Sequence, residues 1–135
     1  MPSSSTLGSS SRAQQGLSHI CLRASPPCID APFTSYDYKT NSLPPDVTSQ
    51  TANIISTISA TLSDAGATPA DIVRVRYILP DRSDFPTIWP LLREFFGPAK
   101  PAATMVQASL MEAAMKVEIE VTAMIGAGGD VPPPA

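Results

Sequence analysis

The chain has 135 residues, 43% of them hydrophobic, and a formal net charge of -3; this length suits one domain with a real core and is too short for two. Its 9 basic residues are scattered, which excludes the clustered positive footprint that a nucleic-acid backbone requires. No apolar run approaches the roughly 18 residues of a membrane span, and MPSSSTLGSSSRAQQ has neither a basic start nor an apolar core for export, so a cytoplasmic protein is expected.

Residues 1–16 are rich in Ser and Gln, and residues 126–135, GAGGDVPPPA, in Gly and Pro. Both compositions favour a solvated, disordered tail, which leaves residues 17–125 as the folded domain. Between Leu17 and Leu43, HICLRASPPCIDAPF offers short apolar pieces broken by Pro26, Pro27 and Pro32. Two short strands around a proline turn fit this pattern. Cys21 and Cys28 have no further Cys and only His19 for company. A zinc site or disulfide framework is therefore not supported, the thiols are expected buried or free, and His19 reads as structural or surface.

In DVTSQTANIISTISATLSDAG, Ile54, Ile55, Ile58, Leu62 and Ala65 recur at three- and four-residue steps. This predicts an amphipathic helix capped by Asp46 or Thr48 and stopped by Gly66. DIVRVRYIL alternates Ile72, Arg74, Arg76 and Ile78 against Val73, Val75, Tyr77 and Leu79, as a strand does, and the turn Pro80-Asp81 follows. A second helix is predicted with Ser83 or Asp84 as cap, Pro86 in its first turn, and Ile88, Trp89, Leu92, Phe95 and Phe96 as its apolar stripe before Gly97. Pro90 costs a helix interior about 3 kcal/mol, so a kink there, or a regular helix only after it, is expected. A strand near Thr104–Ser109 follows, and MKVEIEVTAMI forms the last one. There Val117, Ile119, Val121, Ala123 and Ile125 share one face, and Lys116, Glu118, Glu120, Thr122 and Met124 the other.

The order of elements predicts an α+β fold: a mixed sheet with both helices on one face. The other face is left bare, and in so small a chain the economical cover is another copy of itself.

AGATPADIVRVRYILPDRSDFPTIWPLLREFFGPAKPAATM followed by MKVEIEVTA resembles the Rid family, also called YjgF or L-PSP proteins. The shared wording is a helix ending in AGA, a strand of the DVV type, DF before the second helix, FFG after it, a Pro-Ala turn and a terminal EIE strand. SYDYKT, ILPD and PAATM look like a divergent branch. The resemblance implies a chorismate-mutase-like fold, a homotrimer with ligand clefts between subunits, and hydrolysis of 2-imino or enamine acids to 2-keto acids and ammonia without cofactor or metal. It implies a water-activating role for Glu118. The family's substrate-binding arginine falls at Ala103, its helix asparagine at Trp89, its N-terminal tyrosine at Leu17 and its strand-end serine near Ala31.

A methyl group at Ala103 removes the two-point carboxylate contact of a guanidinium, and Lys100 is the nearest basic residue upstream. Glu118 is either a general base or an outward strand carboxylate. Glu120 reads as structural, paired with an arginine of the neighbouring strand. Arg74 and Arg76 read as solvated, interfacial or ligand-contacting. Trp89, Met105 and Tyr77 are core residues or, with Ala103, the walls of an apolar, aromatic ligand cleft. Two functions stand: an enzyme acting by acid-base or hydrolytic chemistry on a small imine- or enamine-type metabolite, and a ligand-binding or scaffold protein that keeps the fold without catalysis. A ribonuclease fits poorly with the acidic chain.

Overall fold

The computed structural model describes the backbone of residues 19–21 and all of residues 28–128. Its strands are β1 (His19–Cys21), β2 (Cys28–Phe33), β3 (Ile72–Leu79), β4 (Ala102–Gln107) and β5 (Glu118–Met124), and its helices are α1 (Val47–Asp64) and α2 (Phe85–Phe96). The strands form one sheet in the order β1-β2-β5-β3-β4. Among the described strands only β3 and β4 run parallel, as the α2 crossover between them allows; the other pairs are antiparallel.

Helix α1 begins where Asp46 accepts a 2.8 Å hydrogen bond from the Ser49 amide, which satisfies one of the exposed donors of its first turn. It ends at Gly66, whose φ of +80° suits a residue without a Cβ. The amides of Gly66 and Ala67 donate back to Ser63 and Leu62 at 3.1 and 2.8 Å, the double bond of a Schellman turn. Ile54, Ile58 and Leu62 from α1 and Ile88, Leu92 and Phe96 from α2 cover the sheet. Beneath them lie Ile29, Ala31 and Phe33 of β2, Val75, Tyr77 and Leu79 of β3, and Ile119, Val121 and Ala123 of β5, all buried. The alternation of β5 is the one its sequence predicts: odd-numbered residues face the helices and even-numbered ones do not.

Several local expectations are corrected. Ile72 does not share a face with Arg74: pairing with β5 slips between them, and Ile72 is 1% exposed. The slip places an additional residue, Val73, in β3, and such a bulge returns Ile72 to the core face. Asp84, one of the two expected caps, holds the N-cap position of α2, but its side chain makes no capping hydrogen bond. Instead Asp81 accepts from the amide and hydroxyl of Ser83 and starts a short 3-10 turn, Arg82–Asp84, that feeds directly into α2. The helix runs unbroken through Pro90. The carbonyl left without its donor is that of Pro86, an exposed residue, where water can supply the bond. Trp89 leaves the predicted core stripe and is 44% exposed, because Ile88, Leu92 and Phe96 at four-residue steps already fill the buried line.

The first pairing sets Cys21 directly opposite Cys28, a juxtaposition that the spacing did not suggest. The expected N-terminal tail, Leu17 and the proline turn at Pro26-Pro27 lie outside the described residues, as does the C-terminal stretch from 129 onward. Gly128, assigned to that tail, is part of the fold: its amide donates to the buried Asp71 carboxylate at 2.9 Å.

Candidate functional site on the uncovered sheet face

The face of the sheet turned away from the helices carries the polar residues of the strands in rows. Strand register places Asp30, Thr122, Arg74 and Ala102 in one row, and Pro32, Glu120, Arg76 and Thr104 in the next. Glu118, Ile78 and Val106 form the third. Successive rows are about 7 Å apart, two residues along an extended strand.

Arg76 Nε donates to Glu120 Oε1, the cross-strand pair expected of Glu120. Thr122 donates its hydroxyl to Asp30 at 2.9 Å. Asp30, Arg74, Arg76, Glu120 and Thr122 together line a depression of about 120 Å³.

Glu118 lies on this face beside Glu120 and is partly buried. Removal from water, and then the negative charge of Glu120, raise its carboxyl above the ordinary value, since both oppose ionisation. A carboxylate so placed is a better proton acceptor than a solvated one. Its position is fixed from below by two buried polar residues. Ser35 donates to the Val117 carbonyl at 2.6 Å, and the Gln50 Oε1 accepts from the Lys116 amide at 2.8 Å. The Gln50 amide nitrogen also donates to the carbonyls of Pro44 and Ala114, at 2.7 and 2.9 Å, which ties the loop before β5 to α1. Farther along that loop, Tyr36 donates to the Glu112 carboxylate.

The residues proposed for an apolar cleft are elsewhere. Met105 pairs with Tyr77 and Ala103 with Val75, so both sit on the helix side of the sheet, at its β4 edge. Tyr77 is buried at 4% exposure between the Phe85 and Phe96 rings, 6.3 and 5.9 Å away. Burial pushes its phenol up to about 12. Phe85 stacks in turn on Trp89 at 5.3 Å, which with Met105 at 40% exposure leaves an apolar rim open at the edge strand. Within one chain Glu118 and Ala103 therefore face opposite sides of the sheet. Trp89, Met105 and Ala103 are accessible together, whereas Tyr77 supports them from the core.

Sequence reasoning did not single out Gln50, Ser35 or Asp30. Gln50 had a legible signal, since it precedes Ile54, Ile58 and Leu62 by four-residue steps and so occupies a core position in a helix pattern. Among the described residues no group of three or more His, Cys, Asp or Glu side chains is placed to hold a metal ion. No helix there is long and apolar enough to cross a membrane.

The profile of the Endoribonuclease L-PSP family matches residues 32–125, more than half of the chain. A RutC family protein of Pyrococcus abyssi is 36% identical over 78 residues, 58% of this chain and 61% of that protein. The 3-aminoacrylate deaminase RutC of Acinetobacter baylyi is 31% identical over 80 residues, 59% of this chain and 64% of the relative. The chain thus spans about three fifths of the length of these curated relatives. In structure it is similar to the YjgF gene product of E. coli, with a TM-score of 0.67 at 25% identity over 82% of this chain and 85% of the other. With the profile match over residues 32–125, the chain belongs to the L-PSP family, the Rid or YjgF proteins.

Proposed function

We propose that this protein binds a small imine- or enamine-type metabolite in clefts between the copies of a homotrimer and hydrolyses it with Glu118 as general base. The observation that carries this reading is Glu118 itself, a partly desolvated carboxylate of raised proton affinity on a sheet face that no described helix covers. Family membership and the likeness to a 3-aminoacrylate deaminase support the chemistry.

Glu118 takes a proton from water as the oxygen adds to the C=N carbon. That proton passes to nitrogen to give a carbinolamine, whose hydroxyl proton is then transferred through Glu118 to the amine as the C–N bond breaks and the C=O bond forms, so ammonia and a carbonyl compound leave. An enamine enters the same sequence after tautomerising to the imine. Because Glu118 and Ala103 face opposite sides of the sheet, a shared cleft needs two copies: one brings Glu118, and its neighbour brings the β4 edge with Ala103, Met105 and Trp89. That edge is apolar, which suits a substrate with an aliphatic or aromatic side chain.

The test is release of ammonia and keto acid from freshly generated 2-imino acids, with wild-type protein against Glu118→Gln. The expected result is turnover that collapses in the variant. Equal rates, or a monomer by sedimentation, refute the reading. The absence of a cation at Ala103 favours a second reading, a non-catalytic binder with the same cleft. Ligand binding without any ammonia release establishes that one.

A further inference from the structure

We infer that Arg74, assisted by Arg76, forms a carboxylate-binding site on the sheet face turned away from the helices. Where the ligand is concerned this inference rests on the hydrolase reading; the binding itself does not.

Arg74 and Arg76 stand two residues apart on β3, so their side chains leave the same face about 7 Å apart. Two like charges at that distance repel one another, and the pair stays favourable only if anions lie nearby. Glu120 answers Arg76. Among the described residues the Arg74 side chain makes neither an ion pair nor a hydrogen bond.

No carboxylate among the described residues lies within ion-pair distance of Arg74, although Asp30 and Glu120 also line the depression. Asp30 lies two strands away in the same row and accepts from Thr122, and Glu120 is held by Arg76. Beyond Arg74 the row continues to Ala102, which is small and exposed, so no described residue of that row closes the approach to the guanidinium. The depression beside it, about 120 Å³, accommodates a carboxylate group.

Arg76 is suited to assist. Its bond to Glu120 uses Nε, which orients the planar group and leaves the terminal nitrogens free to donate. A guanidinium pre-oriented by one carboxylate loses less freedom when it binds another. Glu118 occupies the row next to that of Arg76, on the same face. A carboxylate held at Arg74 and Arg76 lies one to two rows, about 7 to 14 Å along the strands, from Glu118.

The probes are pyruvate, phenylpyruvate and uncharged pyruvamide, titrated into the full chain and followed by NMR shifts and calorimetry at constant ionic strength. Both carboxylates are expected to bind and the amide is not. Arg74→Gln, a change at an exposed and unpaired side chain, is expected to weaken binding about tenfold or more with an unchanged CD spectrum. Arg74→Lys should recover part of it, and Arg76→Gln should weaken it less than Arg74→Gln.

Equal binding of pyruvate and pyruvamide, or undiminished affinity in Arg74→Gln, overturns the inference. So does a change of sedimentation in Arg74→Gln without a change of affinity, which assigns Arg74 to contact with another copy. Carboxylate binding that depends on Arg74, with no ammonia release by wild-type protein, keeps this site and refutes the hydrolase. Ammonia release with the same KM in Arg74→Gln does the reverse.

Discussion

Replacing Gln50 by Leu tests how the candidate base is held in place. Gln50 is fully buried and makes three hydrogen bonds, to the Pro44 and Ala114 carbonyls and from the Lys116 amide. Leucine fills similar space but strands all three backbone groups. Each made bond contributes about 1 kcal/mol net, and a buried group left without a partner costs roughly 1 to 3 kcal/mol. Ala114 is exposed and Pro44 partly so, so water can reach their carbonyls more readily than the Lys116 amide. The loss is therefore about 3 kcal/mol rather than the full sum. For a domain of this size that lowers Tm by about 10 °C. Urea denaturation at fixed protomer concentration measures it, and hydrogen exchange should report faster opening at the Lys116 amide. Gln50→Glu sharpens the test. One carboxylate oxygen still accepts from Lys116, but the other faces two carbonyls, so protonation is favoured and the folded pKa rises above the unfolded value of about 4.3. Stability of that variant should fall as pH rises from 4 to 7. A loss below about 1 kcal/mol in Gln50→Leu, with unchanged exchange at Lys116, refutes the reasoning.

Glu118 should show the opposite of a stabilising carboxylate. Its folded pKa is raised above 4.5, so ionisation penalises the fold at neutral pH, and Glu118→Gln should raise the urea midpoint at pH 7 with no gain below about pH 4.5. Gly66→Ala meets no atom within 4 Å but keeps a φ of +80°; it should cost about 1 kcal/mol through backbone strain alone, read as a small drop in Tm. The Tyr77 phenol, raised from 10.0 to about 12, contributes stability that is present below pH 10 and lost as pH rises through the folded value. In alkaline absorbance titration Tyr77→Phe should therefore remove the step near pH 12.

Much of this architecture is readable from one chain because its signals are local. The period of α1, its Asp46 cap and Gly66 stop, and the strict alternation of β5 depend on residues within a few positions of one another, so each survives without knowledge of the partner element. The alternating charges of each strand were legible too, but that Glu120 meets Arg76, 44 residues away, followed only from the pairing of β3 with β5. The start of α2 was legible only in part: Asp84 does hold its N-cap position, but the side-chain capping bonds are made by Asp81, at the 3-10 turn that precedes it. Ile72 was misplaced because a bulge depends on registration against β5, which no pattern within β3 contains.

The sequence by itself determined the α+β class, the helix and strand order, the family resemblance, and the presence of Glu118 with alanine at position 103, since all of these are matters of residue identity and short-range spacing. Tertiary structure alone decided which face each strand residue meets and which strands are neighbours. Sheet order sets β5 between β2 and β3, and that arrangement brings Asp30, Thr122 and Arg74 into one row and separates Ala103 from Glu118 by the thickness of the sheet. Contacts of that kind join residues as far apart as Asp30 and Thr122, and their formation depends on burial of the shared hydrophobic face rather than on any preference encoded beside either residue.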